Sequence, residues 1–399
     1  MKLSSPKITK TFSLHLDFIR GASALIVLLN HWRNIFFVDY GDITSPSLAS
    51  KSLYFVASLG RVSVIIFFVL SGYLISKGVV RDIINKKWSW ITYLQKRGAR
   101  LYAVLIPALF LSALLDFSGS HIFSGNTIYY ANIQYHVMFP FAIPNHMKFS
   151  YWISNLFFMQ GILTPIFGSN MPLWSLGYEF WYYIIFPLCV LGFSARKRWS
   201  DVLKYLACAV VLFFFTGKEI TIYFIVWLMG AFAAHLRWSP TYHKAIVYYI
   251  SLFILLATVI IMRMRHAGGY LADFSIATAF TLFLLSSSWY LTGDVVKKSL
   301  SKPIIQFTSG FSYSLYLLHM PLLVFIDALI IGSEERWQPD MIHLIYGFAV
   351  MICVLLYTAA IWTFTESKTQ FYLSKIILLT DFLRIKLGWG KAETIAPLR

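Results

Sequence analysis

Ten apolar runs, each about long enough to cross a bilayer as a helix, govern what this chain can fold into. A hydrocarbon core about 30 Å thick takes about 20 apolar residues, and with no water inside it the backbone must satisfy its own hydrogen bonds, which favours helices. The runs fall at about 14–34, 60–79, 100–117, 172–193, 202–216, 220–236, 245–263, 273–291, 308–331 and 341–365. They predict an all-α, polytopic integral membrane protein with about ten transmembrane helices, forming a single membrane domain over 1–399 with no appended soluble domain. Composition agrees: 58% of residues are apolar and 13% charged, where soluble domains average about 45–50% and about 25%. Only GKEI separates the fifth run from the sixth, so those two are expected to form a tight helical hairpin.

The formal net charge of +17 invites a nucleic-acid reading. The distribution argues against it, because the basic residues sit in short clusters between apolar runs, as in cytoplasmic loops facing anionic headgroups. With the N-terminus inside, 25 of the 34 Lys and Arg fall on the cytoplasmic side. Both termini are therefore expected in the cytoplasm. Lys2, Lys7 and Lys10 before the first run resemble a signal sequence, but Asp17 and Arg20 interrupt that run, which reads as an uncleaved first span. Residues 118–171 would then lie outside, with Lys148 as their one lysine. A connection of that length is often functional, and its YWISNLFFMQGIL stretch is expected to lie along the interface or re-enter the membrane. The tail after 366 is basic and mildly amphipathic, as in a helix on the inner surface. Cys189, Cys208 and Cys353 all stand in apolar runs. They are expected to be buried free thiols, and no metal-ligand spacing is present.

The polar residues inside the spans carry the functional signal, since an ionisable group in a membrane helix usually faces the bundle interior or a water-filled cavity. The first span, LDFIRGASALIVLLNHW, holds Asp17, Arg20 and His31. Eleven residues turn a helix only about 20° beyond three full turns, so Arg20 and His31 share a face about 16 Å apart along the axis. Asp17 is placed to pair with Arg20. The second span, GRVSVIIFFVLSGYLIS, carries Arg61 at its outer mouth and Ser71-Gly72 mid-span, a pair that by itself reads as close helix packing. Lys96, Arg97 and Arg100 cluster before the third run, and arginine forks suit phosphate oxygens. The fourth span, PLWSLGYEFWYYIIFPL, contains Glu179 at a depth similar to that of His31. The ninth, FSYSLYLLHMPLLVFIDALI, contains His319 and Asp327. Together these suggest one polar chamber open to an anionic ligand from the cytoplasm.

Five stretches in order, LDFIRGASALIVLLNH, FFVLSGYLIS, YLQKRGARLYAVLIP, PLWSLGYEFWYYIIFPL and FSYSLYLLHMPL, resemble the bacterial acyltransferase-3 family, including its Arg-x10-His motif at Arg20 and His31. The chain departs from the family pattern at VSVI (62–65), where members often have Gly-Val-Asp. It has Tyr178-Glu179 in place of Glu-Glu, and Glu366-Ser367-Lys368 lacks a following proline. The resemblance implies transfer of an acyl group, usually acetyl, from cytoplasmic acyl-CoA to a hydroxyl of a lipid-linked or surface glycan, in a bacterial inner membrane. Acetyl-CoA would be a co-substrate, with no permanently bound cofactor or metal; the partners would be the acyl-CoA donor, the glycan acceptor and membrane lipids, with no nucleic acid.

A neutral imidazole can take the acceptor's proton at neutral pH, which suits His31 as base. Glu179 would orient that imidazole or bind the acceptor, and Arg20 would hold CoA or stabilise the thioester oxyanion. Asp17, Arg61, Ser71, Lys96, Arg97, Arg100, Trp174, Ser175, Tyr313 and His319 complete the expected binding set. Direct transfer and an acyl-enzyme route are both open. The competing readings are a transporter of an organic anion or glycan intermediate, which broken helices and a pseudo-repeat would favour, and an acyltransferase of another lineage that relies on a lone late-helix histidine such as His319.

Overall fold

The computed structural model describes residues 8–125, 127–193, 198–236, 240, 242–265, 268–293 and 301–386. Lys2, Lys7 and the end of the basic tail lie outside these. In chain order the helices are α1 (Lys10–Phe36), α2 (Leu48–Ala57), α3 (Gly60–Ile84), α4 (Trp90–Ile122), α5 (Phe149–Leu156), α6 (Leu173–Gly192), α7 (Trp199–His235), α8 (Lys244–Met264), α9 (Gly269–Tyr290), α10 (Ser301–Gly310), α11 (Ser312–Ile330), α12 (Met341–Trp362) and α13 (Thr369–Lys386). No β-strand occurs among the described residues. Several helix starts follow from local chemistry: Thr9, Ser89 and Asp340 accept hydrogen bonds from the amides of Phe12, Thr92 and His343, satisfying donors that a helix N-terminus leaves unpaired.

Eight helical stretches among the described residues are long and apolar enough to cross a membrane, and the protein is an all-α polytopic membrane protein. One of these stretches, α7, folds back on itself. Gly217 interrupts it at φ 79°, ψ −178°, a conformation that glycine adopts without a steric penalty. The rings of Phe213 and Phe224 then meet at 5.5 Å, although eleven residues of straight helix would separate them by about 16 Å. The GKEI hairpin expected from the sequence is present. Helix α4 extends well beyond the apolar run at 100–117, because Tyr93, Gln95 and Ala99 of its basic first turns are buried against neighbouring helices. The ninth run is divided at Phe311 into α10 and α11.

Packing at the centre depends on backbone contact and on helical prolines. A Cβ on Gly72 of α3 would lie 1.9 Å from the Trp227 carbonyl oxygen of α7, and one on Gly230 of α7 would lie 1.9 Å from that of Val69. Glycine at both positions lets the two helices touch. A proline leaves the carbonyl four residues earlier without its donor. Pro187 frees the Tyr183 carbonyl, which accepts from the Tyr93 hydroxyl at 3.0 Å. Pro321 frees the Leu317 carbonyl, which accepts from Asn170 Nδ2 at 2.9 Å.

The long connection between α4 and α6 is an ordered cap. Tyr129, Tyr135, Phe139 and Ile143 are fully buried and cluster with Trp32 and Phe36 of α1 and Leu323 of α11. Two buried carboxylates tie it down. Asp116 accepts from the Ser169 amide at 2.8 Å and hydroxyl at 2.7 Å, and Asp327 accepts from the Tyr135 hydroxyl at 3.2 Å. The cysteines depart from expectation. All three are free, but Cys208 and Cys353 are exposed on the outside of the bundle and Cys189 is partly so. The helix faces of Cys208 and Cys353 turn away from the protein core, where an apolar side chain meets lipid, while Cys189 packs against the edge of the core.

Candidate active site

Two cavities run into the bundle from opposite ends. The first, about 370 Å³, opens at the basic end and is lined by Arg20 of α1, Ser71 of α3, Arg97 and Arg100 of α4, Ser175, Glu179 and Tyr183 of α6, and Tyr313 and Tyr316 of α11. The second, about 270 Å³, lies beneath the long connection and is lined by Asn30, His31 and Asn34 of α1, Arg61 of α3, Met138, Met171 and Pro172 of the connection, Trp174 of α6 and Tyr316. Val64 and Tyr316 line both and stand as the wall between them. The single chamber expected from the sequence is therefore two cavities in series. His31 belongs to one, and Arg20 and Glu179 belong to the other.

His31 is oriented by His319 and not by Glu179. His31 Nδ1 lies 2.7 Å from His319 Nε2, and the two rings are nearly coplanar at 10°. His319 Nδ1 lies 2.7 Å from the Leu315 carbonyl oxygen. A carbonyl can only accept, so His319 Nδ1 carries a proton, and in a neutral ring its Nε2 accepts. His31 Nδ1 must then donate, which leaves His31 Nε2 as a free lone pair on a side chain lining the loop-end cavity. His319 is fully buried and acts here as a partner of His31. Glu179 instead accepts from the Ser71 hydroxyl and the Tyr183 hydroxyl, each at 2.5 Å. Trp227 Nε1 donates to Ser71 Oγ at 3.1 Å.

The other expected residues separate by cavity. Arg20 Nη2 pairs with Asp17 at 2.8 Å, and Arg20 also donates to Ser309 of α10. Arg97 lies over the rings of Tyr93 and Tyr183, 5.6 Å from each centroid, and Tyr313 donates to the Leu101 carbonyl at 3.1 Å. Lys96 and Asp17 do not line the basic-end cavity, whereas Arg97 and Arg100 do. Trp174 faces the loop-end cavity and Ser175 the basic-end one. Arg61 is committed to a carboxylate: its Nε and Nη2 bond Asp273 of α9 at 2.9 and 2.6 Å, and Tyr223 donates to the same carboxylate at 2.6 Å.

Six residues of this network were not singled out by the sequence: Ser309, Tyr183, Tyr223, Trp227, Asp273 and Tyr316. The signal for Tyr316 was its place three residues before His319, on the same face of α11. Glu366, noted in the sequence only as a departure from a motif, accepts from the amide and hydroxyl of Ser314 at 3.0 and 2.9 Å. It closes the break at the start of α11 with a side-chain cap.

Comparison with known proteins adds to this geometry. O-acetyltransferase OatA of Staphylococcus aureus, from strains NCTC 8325 / PS 47 and COL, is 24% identical over 301 residues, covering 69% of this chain and 48% of each relative. The chain thus spans about half the length of these curated relatives. No solved structure matches it. The model of an acyltransferase domain, Acyl_transf_3, matches residues 14–362. With Arg20, His31, Ser71, Arg97, Glu179 and His319 gathered inside that span, this chain belongs to the acyltransferase-3 family.

Proposed function

We propose that the protein is a membrane O-acyltransferase that draws acyl-CoA, with acetyl as the expected acyl group, into the basic-end cavity and passes the acyl group to a sugar hydroxyl held in the loop-end cavity. The observation that carries this reading is the pair of cavities meeting at one wall, one rich in guanidinium groups and the other containing an imidazole with a free Nε2. Arg20, Arg97 and Arg100 suit the phosphates of CoA, because guanidinium forks match phosphate oxygens. Arg20 stands about 16 Å along α1 from His31, a separation of the order of an extended pantetheine arm. That separation supports a role for Arg20 at the phosphate or pantetheine end of the donor. Glu179, bonded to Ser71 and Tyr183, shapes the donor cavity and keeps its hydroxyls oriented.

In the loop-end cavity, Asn30, Asn34 and the flat face of Trp174 suit a sugar, whose hydroxyls need donors and acceptors and whose C–H faces pack on aromatic rings. His31 Nε2 takes the acceptor hydroxyl's proton as its oxygen attacks the thioester carbon. The imidazolium so formed keeps its hydrogen bond to His319, and the leaving thiolate receives the proton. The orientation follows the charge distribution, with the basic end in the cytoplasm of a bacterium and the acceptor reaching its cavity from the opposite face, carried on a lipid. A transporter would use the α10–α11 break as a ligand site; here Glu366 fills that break.

The test is thiol release from acetyl-CoA by purified protein supplied with a lipid-linked glycan extract. Release by the wild type that is lost in a folded His31→Ala variant supports the reading. Absence of release across several acyl donors, together with absence of CoA binding, removes it.

A further inference from the structure

We propose that the Tyr316 hydroxyl, positioned by Ser175, is the hydrogen-bond donor that holds the oxyanion of the transfer step. This rests on the two-cavity reading above and adds the group which that reading lacks. In a direct transfer the acyl carbon must contact the donor sulfur and the acceptor oxygen at once. With donor and acceptor in different cavities, the carbon sits where the cavities meet. Two side chains line both cavities there, Val64 and Tyr316. Val64 is a hydrocarbon, so Tyr316 supplies the polar atom at the junction.

The residues expected from the sequence do not serve this role. An oxyanion formed beside His31 needs a donor about 2.7–3.1 Å away, whereas Arg20 is about 16 Å distant along the same helix. Glu179 is an acceptor when ionised, and it is bonded to Ser71 and Tyr183 on the donor side. His319 points both of its ring nitrogens at other protein atoms.

The local geometry holds Tyr316 for the task. Its oxygen lies 2.6 Å from Ser175 Oγ, and Ser175 Oγ lies 3.2 Å from the Pro172 carbonyl oxygen. Two proton arrangements are therefore available. In one, Ser175 donates to Pro172 and the phenol donates to Ser175. In the other, Ser175 donates to the phenol oxygen, which releases the phenolic hydrogen toward the junction. The ring is fixed edge-on against Phe67, with centroids 5.9 Å apart. It stands one helical turn from His319, with ring centroids 6.4 Å apart. One turn of α11 thus mounts both the support of the base and the oxyanion donor, an arrangement that needs little reorganisation on reaction.

The step balances as follows. The acceptor oxygen forms a bond to the thioester carbon as its proton passes to His31 Nε2. The carbonyl π pair moves onto oxygen, where the Tyr316 hydrogen meets it. Collapse re-forms the carbonyl, breaks the carbon–sulfur bond and returns the proton from His31 to the departing thiolate.

The experiment compares steady-state thiol release by the full chain, wild type against Tyr316→Phe and Ser175→Ala, with acetyl-CoA and a lipid-linked glycan extract. Phenylalanine keeps the ring and the wall and removes only the hydroxyl. The expected result is a fall in kcat of about 10²–10³-fold for Tyr316→Phe, the usual loss for one oxyanion donor, with acetyl-CoA affinity unchanged. Ser175→Ala gives a smaller fall, also in kcat. Fluorinated tyrosines at position 316 keep the fold and make kcat follow phenol acidity, which a packing role would not do. Wild-type kcat in Tyr316→Phe, or a change confined to KM, overturns the proposal while leaving the acyltransferase reading intact. A wild type that releases no thiol overturns both.

Discussion

The two cavities share a wall and differ in almost everything else. The basic-end cavity has three arginines and a carboxylate among its lining residues. The loop-end cavity has one arginine, and Asp273 already holds it in a two-pronged ion pair. Its other polar side chains are two amides, an imidazole, the Trp174 indole and the Tyr316 phenol that it shares with the first cavity. The contrast has a physical logic. On the proposed reading, fixed positive charge suits the cavity that would hold a phosphate-bearing donor against water. The same charge beside His31 would make the imidazole a poorer base, because a nearby cation disfavours protonation. Pairing Arg61 with Asp273 keeps a positively charged residue at the mouth of that cavity without directing a net charge at the base.

The largest effects are expected where the proton moves. His31→Ala should lower thiol release by about 10²–10⁴-fold, the range for loss of a general base, while acetyl-CoA binding persists. His319→Ala tests whether the imidazole pair acts as a unit. Without His319, nothing fixes the proton on His31 Nδ1, so turnover should fall by about 10–10²-fold, since loss of a supporting partner commonly costs that much. Donor affinity should stay constant. An inert His319→Ala would show that the His31 tautomer does not matter and would break the contrast at its centre.

Effects at the other cavity should be smaller than the loss of His31 and of another kind. Arg97→Ala and Arg100→Ala should each raise the KM for acetyl-CoA by about 10–150-fold, as a charge-assisted hydrogen bond is worth about 1.5–3 kcal/mol, with kcat nearly unchanged. A fall in kcat without a change in KM would place these residues at the reacting centre and erase the division of labour between the two cavities.

Much of this was legible in the chain, and what was hidden has a common cause. Apolar runs gave the helices, and GKEI gave the α7 hairpin, because length, hydropathy and a glycine turn are local properties. The eleven-residue spacing put Arg20 and His31 on one face correctly. Depth within the membrane does not determine direction around a helix, and that is where Glu179 misled. It lies five residues after Trp174, which rotates it about 140° away, so Trp174 faces the loop-end cavity and Glu179 the basic-end one. The partner of His31 was unreadable for a related reason, since the juxtaposition of α1 and α11 is a tertiary fact that periodicity does not encode. Asp273 was hidden for the same reason, and with it the neutralisation of Arg61.

The smallest predicted effect concerns the roof that only one cavity has. Residues Val137, Met138 and Met171 of the long connection line the loop-end cavity, and His146 helps to hold that connection in place. Its ring stacks on Phe141 with centroids 3.6 Å apart and planes within 9°, and its Nδ1 is buried without a partner. Burial lowers the basicity of this imidazole from its usual range, more than a hydrogen bond to the Ile166 backbone restores it, and nearby Lys148 adds to the lowering. The folded state therefore favours neutral His146, while the unfolded segment titrates near pH 6.5. The stabilisation from neutral His146 is complete above that value and declines as pH falls below it, because the unfolded segment then binds the proton more readily. Hydrogen exchange in the 123–172 segment should quicken on acidification from pH 7 to pH 5, and the acceptor KM should rise with it while the affinity for acetyl-CoA follows no such trend. His146→Phe keeps the stacked ring and removes the titration, so it should flatten the exchange profile of this segment. An equal acid response in that variant would assign the effect to another group. An equal response at the basic-end cavity would show that the two sites are coupled through more than the wall formed by Val64 and Tyr316.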